Sequence, residues 1–243
     1  LFDLLGEASP DASGAEPPLV PAAPWSVRER LAHEKAALGL YLCGHLFDAA
    51  EAEVRRFAKV RLADVQDSRD PFVVAGIVGE LRIVNGQRGK VALFTLDDKS
   101  AVLEASADEA LWQAHRALLK DDELVIAQVT AQPDRFSGGL RLRVQQLWDL
   151  AAARCRFAQH LRVVLAGPAL PDIAAVVQAH PPQRALAPQG EFTLGLAVRI
   201  WRWLPTARVE LALDERARFY PSDEALAAWR SLAYEGQAEV VYP

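Results

Sequence analysis

The sequence predicts an α+β chain in several parts, with a small five-stranded β-barrel at its centre. Three observations predict it. Between Phe72 and Leu150 apolar residues alternate in strand fashion, and one helical stretch interrupts them after the third strand. Residues 1–24 hold five of the chain's 15 prolines, with Gly, Ser and Ala between them, so this stretch cannot bury enough apolar area to offset its ordering entropy. After Leu150, strand and helix patterns follow in the order β-α-β-β-α-β. The expected divisions are a tether over 1–24, a helical segment over 25–71, the barrel over 72–150 and a small α/β domain over 151–243.

Composition narrows the function classes. Hydrophobic residues make up 51% of the 243, enough for real cores. No apolar run approaches the roughly 20 residues of a membrane span, and no basic-apolar signal opens the chain, so no membrane partner is expected. The formal charge of -5 excludes bulk attraction to nucleic acid, and such contact would need a local basic face. Cys43 and Cys155 are far apart in sequence, which suits a reducing cytoplasm better than a disulfide framework. Methionine is absent, so the chain reads as a piece of a longer protein in which Leu1 is not the natural start.

In chain order, the apolar cluster Leu1, Phe2, Leu4 and Leu5 precedes the proline-rich stretch. A short hydrophobic cluster ahead of a tether fits a docking peptide, and equally a segment that packs on an upstream domain. Ser26 can cap a helix, and Gly39 and Gly44 place a break near Cys43–His45. A second helix spans Phe47–Phe57. Cys43 and His45 have no further Cys or His at ligand spacing, so His45 reads as a residue bonding backbone at the helix break and no metal site is expected.

The first barrel strand points Ile77, Leu81 and Ile83 one way and Val78, Glu80 and Arg82 the other. Asn85-Gly86 is a strong turn signal. Val91–Leu96 follows, with Ala92, Phe94 and Leu96 on one face, then the turn Asp97–Ser100 and the strand Ala101–Ser106. Asp108 caps a helix that runs to Leu119. Glu123–Thr130 and Leu140–Trp148 complete the five. Three strands, a helix and two strands is the order of an OB-fold, whose ligands lie across strands 2–3 and the loops L12 and L45. Here those loops are NGQRGK and AQPDRFSGG. Cations for phosphate and an aromatic for a base make the candidate single-strand site Arg82, Arg88, Lys90, Phe94, Lys99, Arg135, Phe136, Arg141 and Arg143. The same charged faces also suit a barrel that binds only protein. In the last part, the loop His180–Gly190 reads as a break, and Ser222 or Asp223 caps the final helix.

Catalytic signatures are missing from the sequence. Asp97-Asp98 suits a tight turn better than a two-metal site. The five histidines lie in different elements, and there is no GxxxxGK[ST], GxGxxG or HExxH. No catalytic residue and no cofactor are expected in this stretch.

The blocks HEKAALGLYLCGHLFD, LFTLDDKSAVLE and DRFSGGLRLRVQQLWDL resemble the C-terminal third of the bacterial DNA polymerase III alpha subunit, in the family's order and spacing. The resemblance thins beyond Ala151. It implies a clamp-binding motif of roughly Gln-x-x-Leu-Phe ending in Leu1-Phe2, an OB domain contacting single-stranded template, and a last domain docking the tau subunit of the clamp loader. It also implies a cytoplasmic parent enzyme, a DNA-directed DNA polymerase (a nucleotidyltransferase) using Mg through aspartates upstream. Three departures stand out: Leu46 where the family has Pro, which would lengthen the first helix; Ala101 where Gly is common; and Glu104–Asp108 where bulky apolar residues are usual. A stand-alone OB module for RNA, tRNA or protein is the alternative.

Overall fold

A computed structural model describes residues 24–86, 89–134, 138–167, 171–187 and 190–243. The chain divides into two compact units, residues 1–42 and 43–243. The expected tether lies almost wholly outside the described residues.

In the first unit, helix α1 (Val27–Leu38) opens on a capping box. Glu29 N donates to Ser26 Oγ at 3.2 Å and Ser26 N to Glu29 Oε2 at 2.8 Å. Gly39, at φ 78°, closes it in the left-handed region that glycine adopts without Cβ strain. Leu46 therefore does not lengthen α1; the helix has already ended.

In the second unit, α2 (Asp48–Val54) follows a turn held by His45. His45 N donates to Asp48 Oδ2 at 2.7 Å, and His45 Nδ1 accepts from Phe47 N at 3.1 Å. Then come β1 (Ser68–Gly86), β2 (Gly89–Asp97), β3 (Val102–Asp108), α3 (Glu109–Ala114), β4 (Leu124–Pro133) and β5 (Leu140–Trp148). The strands close a barrel in the order β1-β2-β3-β5-β4, the OB-fold. The 19-residue β1 serves two neighbours, pairing β4 through its first half and β2 through its second, with Ile77 paired to both Leu124 and Asp97. A parallel pairing of β3 with β5, at Glu104↔Arg141 and Ser106↔Arg143, seals the barrel.

Three details of the barrel differ from the sequence reading. The alternation of β1 breaks at a bulge between Gly79 and Arg82, where Glu80 takes φ 51°. As a result Val78 and Leu81 both turn into the barrel core, Ile77 packs outside against α2, and Ile83 is exposed. Asn85 and Gly86 are rungs of the ladder, facing Lys90 and Gly89, and are not the turn itself. Helix α3 ends at Ala114, five residues early, because the chain turns at His115 to insert Leu119 into the core.

Helix α4 (Leu150–Phe157), capped by Asp149, leads into β6 (His160–Ala166), α5 (Ile173–Ala179), β7 (Gln183–Ala187), β8 (Gly190–Leu194), β9 (Val198–Trp203), β10 (Arg208–Ala212), α6 (Asp223–Leu232) and β11 (Ala238–Val241). The main sheet runs β10-β9-β6-β11. Its β6 and β9 are parallel direct neighbours, so the βαβ unit is not split by an intervening strand. The stretch expected as a plain break forms a hairpin, β7 with β8, from Gln183↔Leu194 to Ala187↔Gly190. Strand β8 stops before Gly195, where a Cβ would meet Pro182 Cβ at 2.9 Å. One core fills the barrel. A second joins α2 and α4 to the outside of β1 and β4, and a third lies between the main sheet and α6 around Phe219 and Trp229.

Candidate nucleic-acid interface

Strand pairing brings two ranks of side chains onto the outer wall of the barrel. One runs Arg82, Leu93, Ser106, Arg143 and the other Gly79, Thr95, Glu104, Arg141. The rank between them on the opposite face, Phe94, Ala105 and Leu142, fills the core. Gly79 leaves room here: a Cβ would sit 2.9 Å from Thr95 Oγ1 and force that side chain to shift. The loops L12 and L45 join strands at the edge of this wall, at Gly86↔Gly89 and Pro133↔Leu140.

Glu104 dominates the electrostatics of the wall. Its Oε1 accepts from Arg82 Nη2 at 2.6 Å, and its Oε2 from Arg141 Nη2 at 2.6 Å and Nε at 3.1 Å. Arg141 also reaches the buried Asp134 at 3.3 Å. Arg143 and Lys90 are exposed and form no ion pair among the described residues. The backbone N–H of Lys90 donates to Glu109 Oε2 at 3.1 Å, which fixes the start of β2 against α3.

The expected site residues are therefore only partly together. Arg82, Arg141 and Arg143 share the wall, with Lys90 at its edge. Phe94 is a correction: it is 1% exposed inside the barrel, where no base can stack on it. Lys99 is a second correction. It sits in the β2–β3 turn, at the opposite end of β2 from L12, at φ 72°. Its Nζ is held by Asp48 at 2.6 Å and Glu51 at 3.1 Å; the two carboxylates raise its pKa, and Lys99 in turn lowers that of Asp48. Leu1, Phe2, Arg88, Arg135 and Phe136 lie outside the described residues. Glu104 was missed, although its place one residue before the inward-facing Ala105 marks it as outward-facing.

The acidic turn is structural. Asp98 is 1% exposed; its Oδ2 accepts from Arg55 Nη2 at 2.6 Å and Leu62 N at 3.0 Å, and its Oδ1 from Ser100 N at 3.0 Å. Among the described residues no three His, Cys, Asp or Glu gather as a metal site, and no helix is long and apolar enough to cross a membrane. Burial, with Asp149 nearby, pushes the Cys155 thiol up to about 12, so it is no nucleophile at neutral pH.

No protein-family model matches the chain. Among curated proteins, the DNA polymerase III subunit alpha of Escherichia coli K12 is 28% identical over 244 residues, 99% of this chain. That of Pseudomonas aeruginosa is 43% identical over 141 residues, 58% of the chain, and that of Neisseria meningitidis serogroup A is 34% identical over 168 residues, 68% of it. The chain resembles the C-terminal region of DNA polymerase III subunit alpha. It spans only 12%, 14% and 20% of the Pseudomonas, Neisseria and Escherichia relatives. Solved structures similar to it include the SSB domain of a Synechococcus protein, at 14% identity, covering 34% of this chain and 98% of that one, with a TM-score of 0.30. A small single-stranded DNA-binding protein from Streptomyces coelicolor is 15% identical, covering 36% and 98%, with a TM-score of 0.31. The strand order identifies the barrel. The polymerase III alpha resemblance and that barrel agree on a replicative-polymerase OB-fold region.

Proposed function

We propose that this chain is a non-catalytic C-terminal region of a replicative DNA polymerase alpha subunit, acting in the bacterial cytoplasm during chromosomal replication. In this reading the barrel touches single-stranded template through Arg82, Arg141, Arg143, Lys90 and the L12 and L45 residues Arg88, Arg135 and Phe136. Leu1-Phe2 ends a motif for the beta sliding clamp, and residues 151–243 dock the tau subunit of the clamp loader. The polymerase's magnesium and catalytic aspartates belong to the rest of the parent chain. The observation that carries the reading is the alignment with DNA polymerase III subunit alpha along 99% of this chain. The cationic rank on the barrel wall supports the single-strand contact.

Binding should be weak and salt-sensitive, because two of the wall's arginines already face Glu104. Fluorescence anisotropy with labelled oligo(dT) at low salt tests this. The Lys90→Glu, Arg143→Glu double variant should lose most of the signal, and an unchanged isotherm would remove the barrel from the DNA path. The neutralised arginines also favour a second reading, a barrel that serves as a protein-binding spacer. In that case the double variant and the wild type would give the same isotherm. Clamp and tau contacts are tested with the full chain on beads carrying each purified partner; Phe2→Ala should release the clamp and spare tau.

A further inference from the structure

The main sheet of residues 160–241 has a second face that the barrel reading does not use. Helix α6 covers the face built by Leu161, Val163, Ile200 and Val240. The opposite face carries Arg162, Val164, Trp201, Trp203 and Glu239, and among the described residues no α-helix covers it. A cavity of about 470 Å³ lies over Trp201 and Trp203. A second, of about 390 Å³, is lined by Arg55, Arg56, Lys59 and Tyr242. The two share Arg162 and Glu239, so they form one groove running from the end of α2 across β11, β6 and β9.

Its chemistry is uneven for a chain of net charge -5. Arg55, Arg56, Lys59 and Arg162 line it against one carboxylate, Glu239, which both Arg56 and Arg162 approach, at 3.2 and 2.7 Å. Arg55 is tied to Asp98, whereas Lys59 is exposed with no ion pair among the described residues. Trp201 is 38% exposed, with the Arg162 guanidinium 5.6 Å from its ring centre, and Arg208 lies 5.1 Å from that of Trp203. Trp201 and Trp203 are two residues apart on one strand face, a backbone rise of about 6.6 Å. Trp203 Nε1 is buried with no hydrogen-bond partner among the described residues. Farther out, Arg199 is paired with Glu210 at 3.0 Å.

We propose that this groove is a second surface for single-stranded nucleic acid, with phosphates along Lys59, Arg56 and Arg162 and a base stacked on Trp201. Surplus cations track a phosphate backbone, and exposed indoles offer stacking platforms for any base. The groove floor is a sheet face and not a sheet edge, so it offers an extended peptide no backbone ladder to join. The proposal goes beyond the barrel reading and does not rest on it.

Oligo(dT) titrated into the full chain at low salt tests it, read by tryptophan fluorescence and by anisotropy of a labelled strand. Wild type should show quenching that falls sharply in Trp201→Phe, and Trp201→Ala should bind about tenfold more weakly, the size of one lost base stack. Lys59→Glu, a change at an exposed side chain, should weaken binding several-fold and flatten the salt slope by about 0.7 per lost phosphate contact. The proposal is overturned if these variants bind as wild type while Lys90→Glu, Arg143→Glu abolishes binding. It is equally overturned if a poly-glutamate peptide quenches Trp201 and oligo(dT) does not. Loss in the groove variants with the barrel variant unaffected supports the groove and sinks the barrel contact; no binding by wild type sinks both.

Discussion

Arg154 grips Glu53 at two points, Nε to Oε1 and Nη2 to Oε2, each at 2.8 Å. Arg154 is 4% exposed, and its guanidinium also donates to Asp223 Oδ1 at 2.7 Å and to Pro221 O at 2.9 Å, tying α4 to α2 and to the start of α6. Burial alone would raise the Glu53 carboxyl; the Arg154 contact outweighs it and leaves Glu53 below its ordinary range. Removing one partner strands the other as a buried charge, so Arg154→Ala should cost about 3–5 kcal/mol. Urea unfolding monitored by circular dichroism measures it. Because the fork contact needs a planar donor, Arg154→Lys should recover only a minor part.

Asp98 should make acid stability measurable at a single residue. Burial raises its pKa, and hydrogen bonds from Ser100, Arg55 and Leu62 N outweigh that, so the folded value is depressed. A depressed carboxyl contributes stability that is present above the unfolded pKa, about 3.9, and lost as pH falls through the folded value. Asp98→Asn should therefore be clearly less stable than wild type at pH 7. The gap should hold down to about pH 4 and narrow below it. Urea midpoints for both proteins at several pH values check this, and a gap that widened in acid would contradict the sign.

Much of this was legible from local sequence. The order of the barrel elements followed from alternation and one helix. Ser26, Asp108 and Ser222 cap their helices because a short polar side chain before a helix satisfies a free N–H. The bulge at Glu80 was not legible, since positive φ at this non-glycine residue belongs to the register of β1 against β2 and not to the local sequence. The β7–β8 hairpin was hidden by Pro181, Pro182 and Pro188, which read as breakers although Gln183–Ala187 lies between Pro182 and Pro188 and pairs with Gly190–Leu194 beyond them. The bridging by Glu104 depends on the register of β1, β2, β3 and β5 together, which no local pattern contains.

Phe94 tests whether the sequence pattern or the aromatic count was the better guide. Its neighbours in parity, Ala92 and Leu96, are buried with it, and Ala105 and Ala107 of β3 join the same core. The departure at Glu104–Asp108 is thus small residues inside and polar ones outside. Phe94→Ala should lower stability by about 3–5 kcal/mol, as expected for an emptied core site. Any loss of oligonucleotide binding should track the unfolded fraction. Thermal unfolding beside anisotropy below the transition separates the two effects; a fully folded variant with lost binding would restore Phe94 to the site.

Glu104 holds both Arg82 and Arg141 and thereby sets how much positive charge the barrel wall presents. These pairs are partly exposed, so each contributes at most about 1 kcal/mol to stability. Glu104→Gln should then fold normally while freeing Arg82 for phosphate and leaving Arg141 held by Asp134 alone. If the wall binds single strands, the variant should bind oligo(dT) more tightly at low salt. Its log–log salt dependence should steepen by about 0.7 for each arginine recruited. Anisotropy across a salt series reads both quantities at once. An affinity unchanged by the substitution would mean that phosphates never meet these arginines, even if the strand binds elsewhere on the chain.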